Sequence, residues 1–256
     1  MRANYHTHTP RCHHAEGEER AYVMRAIEAG FSELGFSDHT PYLFDGDYRS
    51  RIRMDPEDLA DYVSVLEAQR LEYRDRISLR IGLETEYYPK LFPRLMSFLR
   101  DYPIEYMILG QHALNNEQDG EWTGRPTTEE RKLDQYCGQT MEALETGLFT
   151  YFAHPDLFNF VGEAALYDRY MRRLCRKAKD CGVPLEINLL GLWEKKQYPN
   201  PIFWRIAAEE GCTAVLGSDA HAPEDVWVPD LIARGEALAL EAGIRLQEVE
   251  ALRPIR

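Results

Sequence analysis

Short apolar stretches alternate with helical patterns along the whole of this 256-residue chain. Seven of these stretches are predicted strands, and the last six have the near-continuous hydrophobic character of buried parallel strands. They span residues 2–6, 33–37, 79–84, 105–110, 149–153, 183–188 and 213–217. Strands that alternate with helices form βαβ units around a parallel sheet, and seven or eight units in about 250 residues favour a closed (β/α) barrel over an open doubly wound sheet.

The predicted helices have recognisable starts and ends. In the segment 55–76, Asp55 is a suitable N-cap residue and Pro56 suits the first helical position. An apolar stripe runs through 163–181, and Gly182 is expected to end that helix. Further helical patterns cover 17–30, 127–146, 223–243 and a segment that opens at Asn200-Pro201. With no Gly/Ser-rich or Pro-rich linker in between, we predict one α/β domain over residues 1–256.

Composition narrows the classes of protein to which the chain can belong. A net charge of −13 disfavours a nucleic-acid backbone as the main partner, because such binding relies on clustered Lys and Arg. No apolar run approaches the roughly 20 residues of a membrane span, and no secretory signal is visible. Five cysteines without a CxxC pair argue against a disulfide framework. We therefore expect a cytoplasmic protein without a membrane partner, and the oligomeric state stays open.

All eight histidines lie at, or just after, the carboxyl end of a predicted strand, and none lies in a predicted helix. They are His6, His8, His13, His14, His39, His112, His154 and His221. Glu84 closes the third strand, and Asp219 follows the seventh strand. In a barrel these positions converge on one face, which is where active sites of this architecture form. The histidines and the two carboxylates are therefore expected to meet.

Imidazole and carboxylate ligands without paired thiolates suit zinc, iron or manganese. The set is too large for one ion, so two or three divalent ions with a bridging carboxylate are expected. Asp38, Glu86 and Asp156 are expected to support metal-binding histidines, with Asp156 orienting His154. His13 is expected to be a bystander and Cys12 a packing residue.

The motifs HTHTPRCHHA, SDHTP, GLETEY, LGQHA, AHPDL and GSDAH occur in this order across nearly the whole chain. In this order they resemble the polymerase-and-histidinol-phosphatase (PHP) family of metal-dependent phosphoesterases, and within it the stand-alone histidinol-phosphatases. The resemblance implies a distorted, TIM-like (β/α)7 barrel with a trinuclear metal centre. A small phosphorylated substrate is implied as the partner.

The resemblance also implies which side chains hold each ion. His6, His8, Glu84 and Asp219 would hold the first ion. Glu84 would bridge to a second ion, held by His112 and His154. The third would take His14, His39 and His221. A metal-bridging hydroxide would attack phosphorus, and Asp219, His221 or the third ion would assist the leaving alkoxide, so Glu84, Asp219 and His221 are the predicted catalytic residues.

Phosphate recognition is expected to need cationic side chains near this face. Arg53 is the leading candidate, because the segment before Met54 resembles an SxxRM segment of related phosphatases. Arg11 and Lys195 are further candidates. Trp193 and Glu194 stand where the family often has an Arg–Lys pair, so one substrate contact differs in this chain.

The substrate implied by the resemblance is L-histidinol phosphate, an intermediate of histidine biosynthesis. Three alternatives stay open: a phosphoesterase for nucleotides, sugar phosphates or short oligonucleotides, an inactive metal-binding interaction module, and a carbon–nitrogen hydrolase. The complete ligand set disfavours the inactive module. Carbon–nitrogen hydrolases on similar barrels often use a carbamylated lysine, and no lysine falls at a predicted strand end here.

Overall fold

Eight parallel strands form one curled sheet in the computed structural model, which describes residues 1–255. The strands are β1 (Ala3–Asn4), β2 (Glu33–His39), β3 (Ser78–Thr85), β4 (Tyr106–Leu109), β5 (Phe149–Phe152), β6 (Leu185–Asn188), β7 (Thr213–Gly217) and β8 (Arg245–Leu246). Each strand pairs with its neighbour in sequence, in the order β1 to β8. The predicted TIM-like α/β fold is confirmed, with one short strand more than the seven expected.

Helices follow the strands and cover the outside of the sheet. They are α1 (Glu19–Glu28), α2 (Leu59–Tyr73), α3 (Phe92–Leu99), α4 (Glu130–Glu145), α5 (Ala164–Asp180), α6 (Leu189–Glu194), α7 (Pro201–Glu209) and α8 (Pro229–Ala242). Six of them lie in segments predicted to be helical, whereas α3 and α6 were not predicted. No helix within residues 1–255 has the length and apolar character needed to cross a membrane.

The ring of strands closes at its carboxyl end rather than along its full length. Thr7, just after β1, forms a parallel bridge with Ala220, just after β7. The amide of His8 donates to Ala220 O at 2.9 Å, and the amide of Ala220 donates to His6 O at 3.2 Å. The segment after β1 therefore lies between β2 and the end of β7. This closure brings the segment after β1 together with the segment after β7.

Aromatic side chains fill the inside of the ring below the candidate site. The Tyr106 hydroxyl lies 2.9 Å from Tyr5 O and 3.0 Å from Phe36 O. The side chain of Tyr106 on β4 therefore reaches across the interior to β2 and to the residue that follows β1. Gly35 and Gly82 leave room for it, because a Cβ atom at either glycine would overlap the Tyr106 side chain. The interior is thus a packed floor, as expected for a barrel of this size.

Candidate metal centre

The predicted ligands meet at the carboxyl ends of the strands, around a cavity of about 640 Å³. Seven of the nine line the cavity: His14, His39, Glu84, His112, His154, Asp219 and His221. The other two, His6 and His8, lie behind them and are fully buried. The structure therefore brings together all nine residues that the sequence predicted as ligands.

Glu84, at the end of β3, lies at the centre of the cluster. Its Oε1 atom is 2.8 Å from His154 Nε2 and 3.5 Å from His112 Nε2. Its Oε2 atom is 3.1 Å from His39 Nδ1 and 3.4 Å from His6 Nε2. Since each oxygen faces a different group of histidines, this one carboxylate can serve two metal positions.

Asp219 completes the inner group. Its Oδ1 atom lies 3.3 Å from His6 Nε2 and 3.1 Å from His8 Nε2. Two ligand atoms bound to one tetrahedral zinc ion at about 2.0–2.1 Å lie roughly 3.3–3.4 Å apart. The spacing of these side chains is therefore that of ligands around a common ion.

Five buried polar atoms of the predicted ligands lack a hydrogen-bond partner among the described residues: His6 Nε2, His8 Nε2, His39 Nδ1, Glu84 Oε2 and His154 Nδ1. Buried polar atoms in folded proteins are nearly always satisfied, so several unsatisfied atoms at one point call for an explanation. A cation in the inner group would satisfy His6 Nε2, His8 Nε2 and Glu84 Oε2, because Glu84 Oε2 lies 3.4 Å from His6 Nε2 and 3.5 Å from His8 Nε2. The donor set therefore fits divalent metal ions.

His14, His39 and His221 form a separate outer group, with one ligand atom of each within 4.8 Å of the others. His14 Nδ1 lies 2.7 Å from Cys12 O, and His221 Nδ1 lies 2.9 Å from Asp219 O. A backbone carbonyl that accepts from Nδ1–H leaves Nε2 free as a ligand. The third predicted group of ligands is thus also assembled.

Cys12 and His13 flank the outer group. The Cys12 side chain is fully buried, as expected for a packing residue. Its sulfur also lies within 4.8 Å of ligand atoms of His8 and His221, which the sequence did not predict. His13 is exposed and adopts a left-handed backbone conformation, with φ 69°. Its side chain belongs to none of the His/carboxylate contacts that form the centre.

Three carboxylates hold the far nitrogens of the inner histidines. Asp38 Oδ1 lies 3.4 Å from His8 Nδ1, and Glu86 Oε1 lies 2.9 Å from His112 Nδ1, in the supporting positions predicted for them. Glu186 Oε1 lies 2.7 Å from His6 Nδ1. Glu186 was not predicted, although a carboxylate between Leu185 and Ile187 in a predicted strand was a usable signal.

The prediction for Asp156 is wrong. Its Oδ2 atom accepts a hydrogen bond from the Asn200 amide at 2.6 Å, so it fixes the start of α7 instead of orienting His154. Burial raises the pKa of Asp156 to about 7. Glu186 Oε2 accepts from the backbone amide of His154 at 3.0 Å, whereas the ring atom Nδ1 of His154 has no hydrogen-bond partner among the described residues.

Charges in the cluster favour ionised carboxylates. Burial alone would raise the pKa of Glu84, but His39, His112 and His6 outweigh it and hold this pKa well below its usual range. Burial lowers the pKa of His221 to about 3, so its imidazole is neutral near neutral pH. Burial alone would lower the pKa of His6, but Asp219 and Glu186 outweigh it and raise this pKa well above its usual range. A metal ion binds the deprotonated ring, so metal binding at His6 would displace a proton.

Glycines at the ends of β4 and β7 make room for two of these carboxylates. A Cβ atom at Gly110 would overlap Glu84 Oε1, and one at Gly217 would overlap Glu186 Oε1. Glycine is therefore required at both places because a buried carboxylate crosses the backbone of the adjacent strand.

Replacing Gly110 with Ala is expected to displace Glu84 and to lower kcat/KM on the order of a hundredfold, since misplacement of about 1 Å in an active site can have an effect of this size. Steady-state kinetics and bound-metal analysis would measure it. Gly138→Ala is the matched control, because nothing lies within 4 Å of a Cβ atom added at that helical glycine. Equal activity of the two variants would contradict the central role of Glu84.

The predicted phosphate contacts lie outside the cavity lining. Arg53 is only 1% exposed and pairs with Glu86 and Glu117. Arg11 pairs with Glu19 and Asp61 on the α1–α2 side. Both guanidinium groups are thus already engaged by carboxylates.

Lys195 is exposed at the end of α6, whereas its neighbour Lys196 lines the cavity. Within the part of the chain that the structure describes, Lys196 is the one Lys or Arg side chain in the lining, and it pairs with Glu194. Trp122 also lines the cavity and stacks on His112, with ring centroids 5.5 Å apart. The mouth of the cavity thus combines one cation, one carboxylate and an aromatic face.

The fold and the cluster together define a class, the TIM-like barrel proteins with a histidine-and-carboxylate metal centre at the carboxyl ends of the strands. The model of the PHP domain family matches residues 4–189. A probable histidinol-phosphatase from Deinococcus radiodurans is 33% identical over 236 residues, which cover 86% of each chain. This chain belongs to the PHP family.

Two further relatives agree with this placement. The histidinol-phosphatase of Bacillus subtilis is 25% identical over 254 residues, which cover 86% of this chain and 94% of the relative. The crystal structure of the histidinol phosphate phosphatase of Lactococcus lactis, complexed with zinc, L-histidinol and phosphate, superposes with a TM-score of 0.75 at 20% identity. That match covers 98% of this chain and 97% of the other, so the fold is shared over its full length.

Proposed function

We propose that this protein is a metal-dependent phosphomonoesterase that hydrolyses L-histidinol phosphate to L-histidinol and phosphate in histidine biosynthesis. The observation that carries the proposal is the complete cluster of nine His and carboxylate side chains around one cavity. A degenerate member of the family would be expected to have lost part of this set. The substrate is proposed from the relatives that are named histidinol-phosphatase. The domain would extend over residues 1–256.

Two to three divalent transition metal ions, zinc, iron or manganese, would occupy the cluster. His6, His8, Glu84 and Asp219 would hold one ion, and His112 and His154 would share Glu84 around a second. His14, His39 and His221 would hold a third. Bound metal ions supply a nucleophilic hydroxide near neutral pH and neutralise charge on the phosphoryl oxygens.

The protein's own side chains orient the site and handle the proton. Glu186, Asp38 and Glu86 fix the rings of His6, His8 and His112 through their Nδ1 atoms. Asp219 and His221 lie at the cavity wall, with His221 Nδ1 3.5 Å from Asp219 Oδ1. Asp219, His221 or the third ion would assist the leaving alkoxide.

The cavity also suits the leaving group. L-Histidinol carries an imidazole ring and an ammonium group, which are complemented by an aromatic face and a carboxylate. Trp122 and Glu194 provide these two features at the cavity wall, and Lys196 beside them can attract the phosphate. A volume of about 640 Å³ lies in the usual range of small-molecule sites.

Phosphate release from L-histidinol phosphate should exceed release from nucleotides, sugar phosphates and dinucleotides by on the order of a hundredfold in kcat/KM, since a site that pairs polar groups of its substrate rejects analogues that lack them. Steady-state assays, with metal content measured on the same sample, test this. Comparable rates on many esters would contradict the substrate assignment. Fewer than two transition metal ions per active chain would contradict the proposed centre.

A further inference from the structure

Arg53 lies buried directly behind one wall of the metal centre, between the segment after β2 and the segment after β4. We propose that Arg53 is a positioning residue that orients His112 through Glu86 and thereby sets the affinity of the second metal position. The inference rests on the proposed metal centre. It replaces a direct contact between Arg53 and the phosphate of the substrate, which is the role expected from the sequence.

Each of the three guanidinium nitrogens of Arg53 already donates to an acceptor in the protein. Nε lies 2.7 Å from Glu117 Oε2, and Nη1 lies 3.0 Å from Thr40 O and 2.9 Å from Glu86 Oε2. Nη2 lies 2.8 Å from Glu86 Oε1 and 2.7 Å from Glu117 Oε2. Four of these contacts are hydrogen bonds and the fifth is an ion pair, so carboxylates and a carbonyl already occupy the whole guanidinium, which does not line the cavity.

The contact with Glu86 leads directly to a predicted metal ligand. Glu86 Oε1 is shared between Arg53 Nη2 and His112 Nδ1, which lies 2.9 Å away. The other ring nitrogen, His112 Nε2, faces Glu84 Oε1 at 3.5 Å. Because the carboxylate accepts from Nδ1–H, it fixes both the tautomer and the direction in which Nε2 points.

Arg53 determines the position of Glu86 more strictly than a lysine could. Two parallel N–H···O contacts hold both oxygens of Glu86, which fixes the plane of that carboxylate. Glu86 is fully buried, so water is not available to replace a lost partner. A lysine would keep the positive charge but would bind as a single point, without the planar fork.

Glu117 anchors the other side of the guanidinium. Besides Arg53, it accepts from the Tyr48 hydroxyl at 2.8 Å and from Ser50 Oγ at 2.6 Å. It therefore ties the segment that carries Arg53 to the segment that follows His112. Substituting Glu117 loosens Arg53 without touching Glu86 or any predicted ligand.

The first test is the zinc affinity of Arg53→Lys, measured by competition with a chromophoric chelator. The dissociation constant of one bound Zn²⁺ should rise by up to about 10-fold, the low end of the effect of losing the partner of a metal-binding histidine, because Glu86 remains beside His112 but is no longer held at both oxygens. At saturating zinc, the inhibition constant of inorganic phosphate should change by less than about threefold. Both proteins then have an occupied metal centre, and Arg53 does not contact the phosphate. Arg49→Gln is the control, since Arg49 is in the same segment but pairs with the exposed side chains of Asp55 and Glu57.

The second variant, Glu117→Gln, should weaken zinc binding in the same direction by a smaller factor, with circular dichroism reporting on the fold. If Arg53→Lys does not fold, unchanged zinc affinity in Glu117→Gln overturns the inference. Unchanged zinc affinity in folded Arg53→Lys, with weaker inhibition by phosphate, would instead make Arg53 a phosphate contact. A wild-type protein that binds no zinc, iron or manganese would overturn the proposed function itself, which distinguishes the two failures.

Discussion

Replacing Glu84 with Gln is expected to lower kcat/KM for phosphate-ester hydrolysis by on the order of a thousandfold or more, which corresponds to roughly 4 kcal/mol of lost transition-state stabilisation. Gln has nearly the same shape as Glu, so the packing at the end of β3 should be retained. The substitution removes the negative charge of the carboxylate. One oxygen of that carboxylate faces His6 and His39, and the other faces His112 and His154. Two metal positions would therefore be weakened by one substitution.

The measurement combines steady-state kinetics with the metal content of the purified variant, where fewer bound ions per chain are expected. Glu145→Gln is a matched control, because Glu145 is exposed, pairs with Lys177 and lies at the end of α4, next to the amino end of β5 rather than the carboxyl ends of the strands. Both variants should unfold at similar temperatures. A Glu84→Gln protein with wild-type activity and a full complement of metal would refute the bridging role.

Replacing His14 with Ala is expected to lower kcat/KM on the order of a hundredfold, because the outer group would keep only His39 and His221. Each factor of ten corresponds to about 1.4 kcal/mol of transition-state stabilisation. His14 is exposed at the mouth of the site, so its removal leaves no buried void and should not unfold the protein. Its ring lies 4.8 Å from that of His221 and 5.4 Å from that of His39, between centroids. The loss should therefore report on metal binding rather than on stability.

The adjacent residue provides the control for this prediction. His13 has a backbone φ of 69°, which Asn tolerates better than Ala does, so His13→Asn preserves the local conformation. We expect this variant to retain most of the activity. If the two substitutions had equal effects, the assignment of His14 to the outer group would be wrong.

The strands and the position of the site could be predicted because both depend on local patterns. Buried parallel strands are continuous apolar runs, and their carboxyl ends converge in any barrel. The short strand β8 and the helix α6 were missed for the opposite reason. Two residues of β8 carry no periodicity, and α6 begins directly after β6, where the side chain of Asn188 accepts from the Gly191 amide.

The supporting residues were harder to predict than the ligands. Ligands occur at strand ends in recognisable motifs, whereas the partner of a buried group depends on which neighbouring strand crosses it. Glu186 was missed because nothing in LEIN shows that it faces His6. Asp156 was assigned to His154 on proximity in sequence, but the Asn200 amide, 44 residues away, takes its carboxylate.

Because Thr7 and Ala220 form a β-bridge next to the predicted ligands, bound metal ions would also affect the stability of the fold. The side chain of Asn4 accepts from the Ser218 amide across a separation of 214 residues, and the ligands His6 and Asp219 lie just above this contact. An ion held by both side chains would therefore cross-link the segment after β1 to the segment after β7. The entropy lost in closing a loop increases with the length of the loop. A cross-link between residues this far apart in sequence would therefore restrict the unfolded chain strongly. Metal loading would thus shift the folding equilibrium as well as enable the chemistry, because ions that bind the folded form alone stabilise it by mass action.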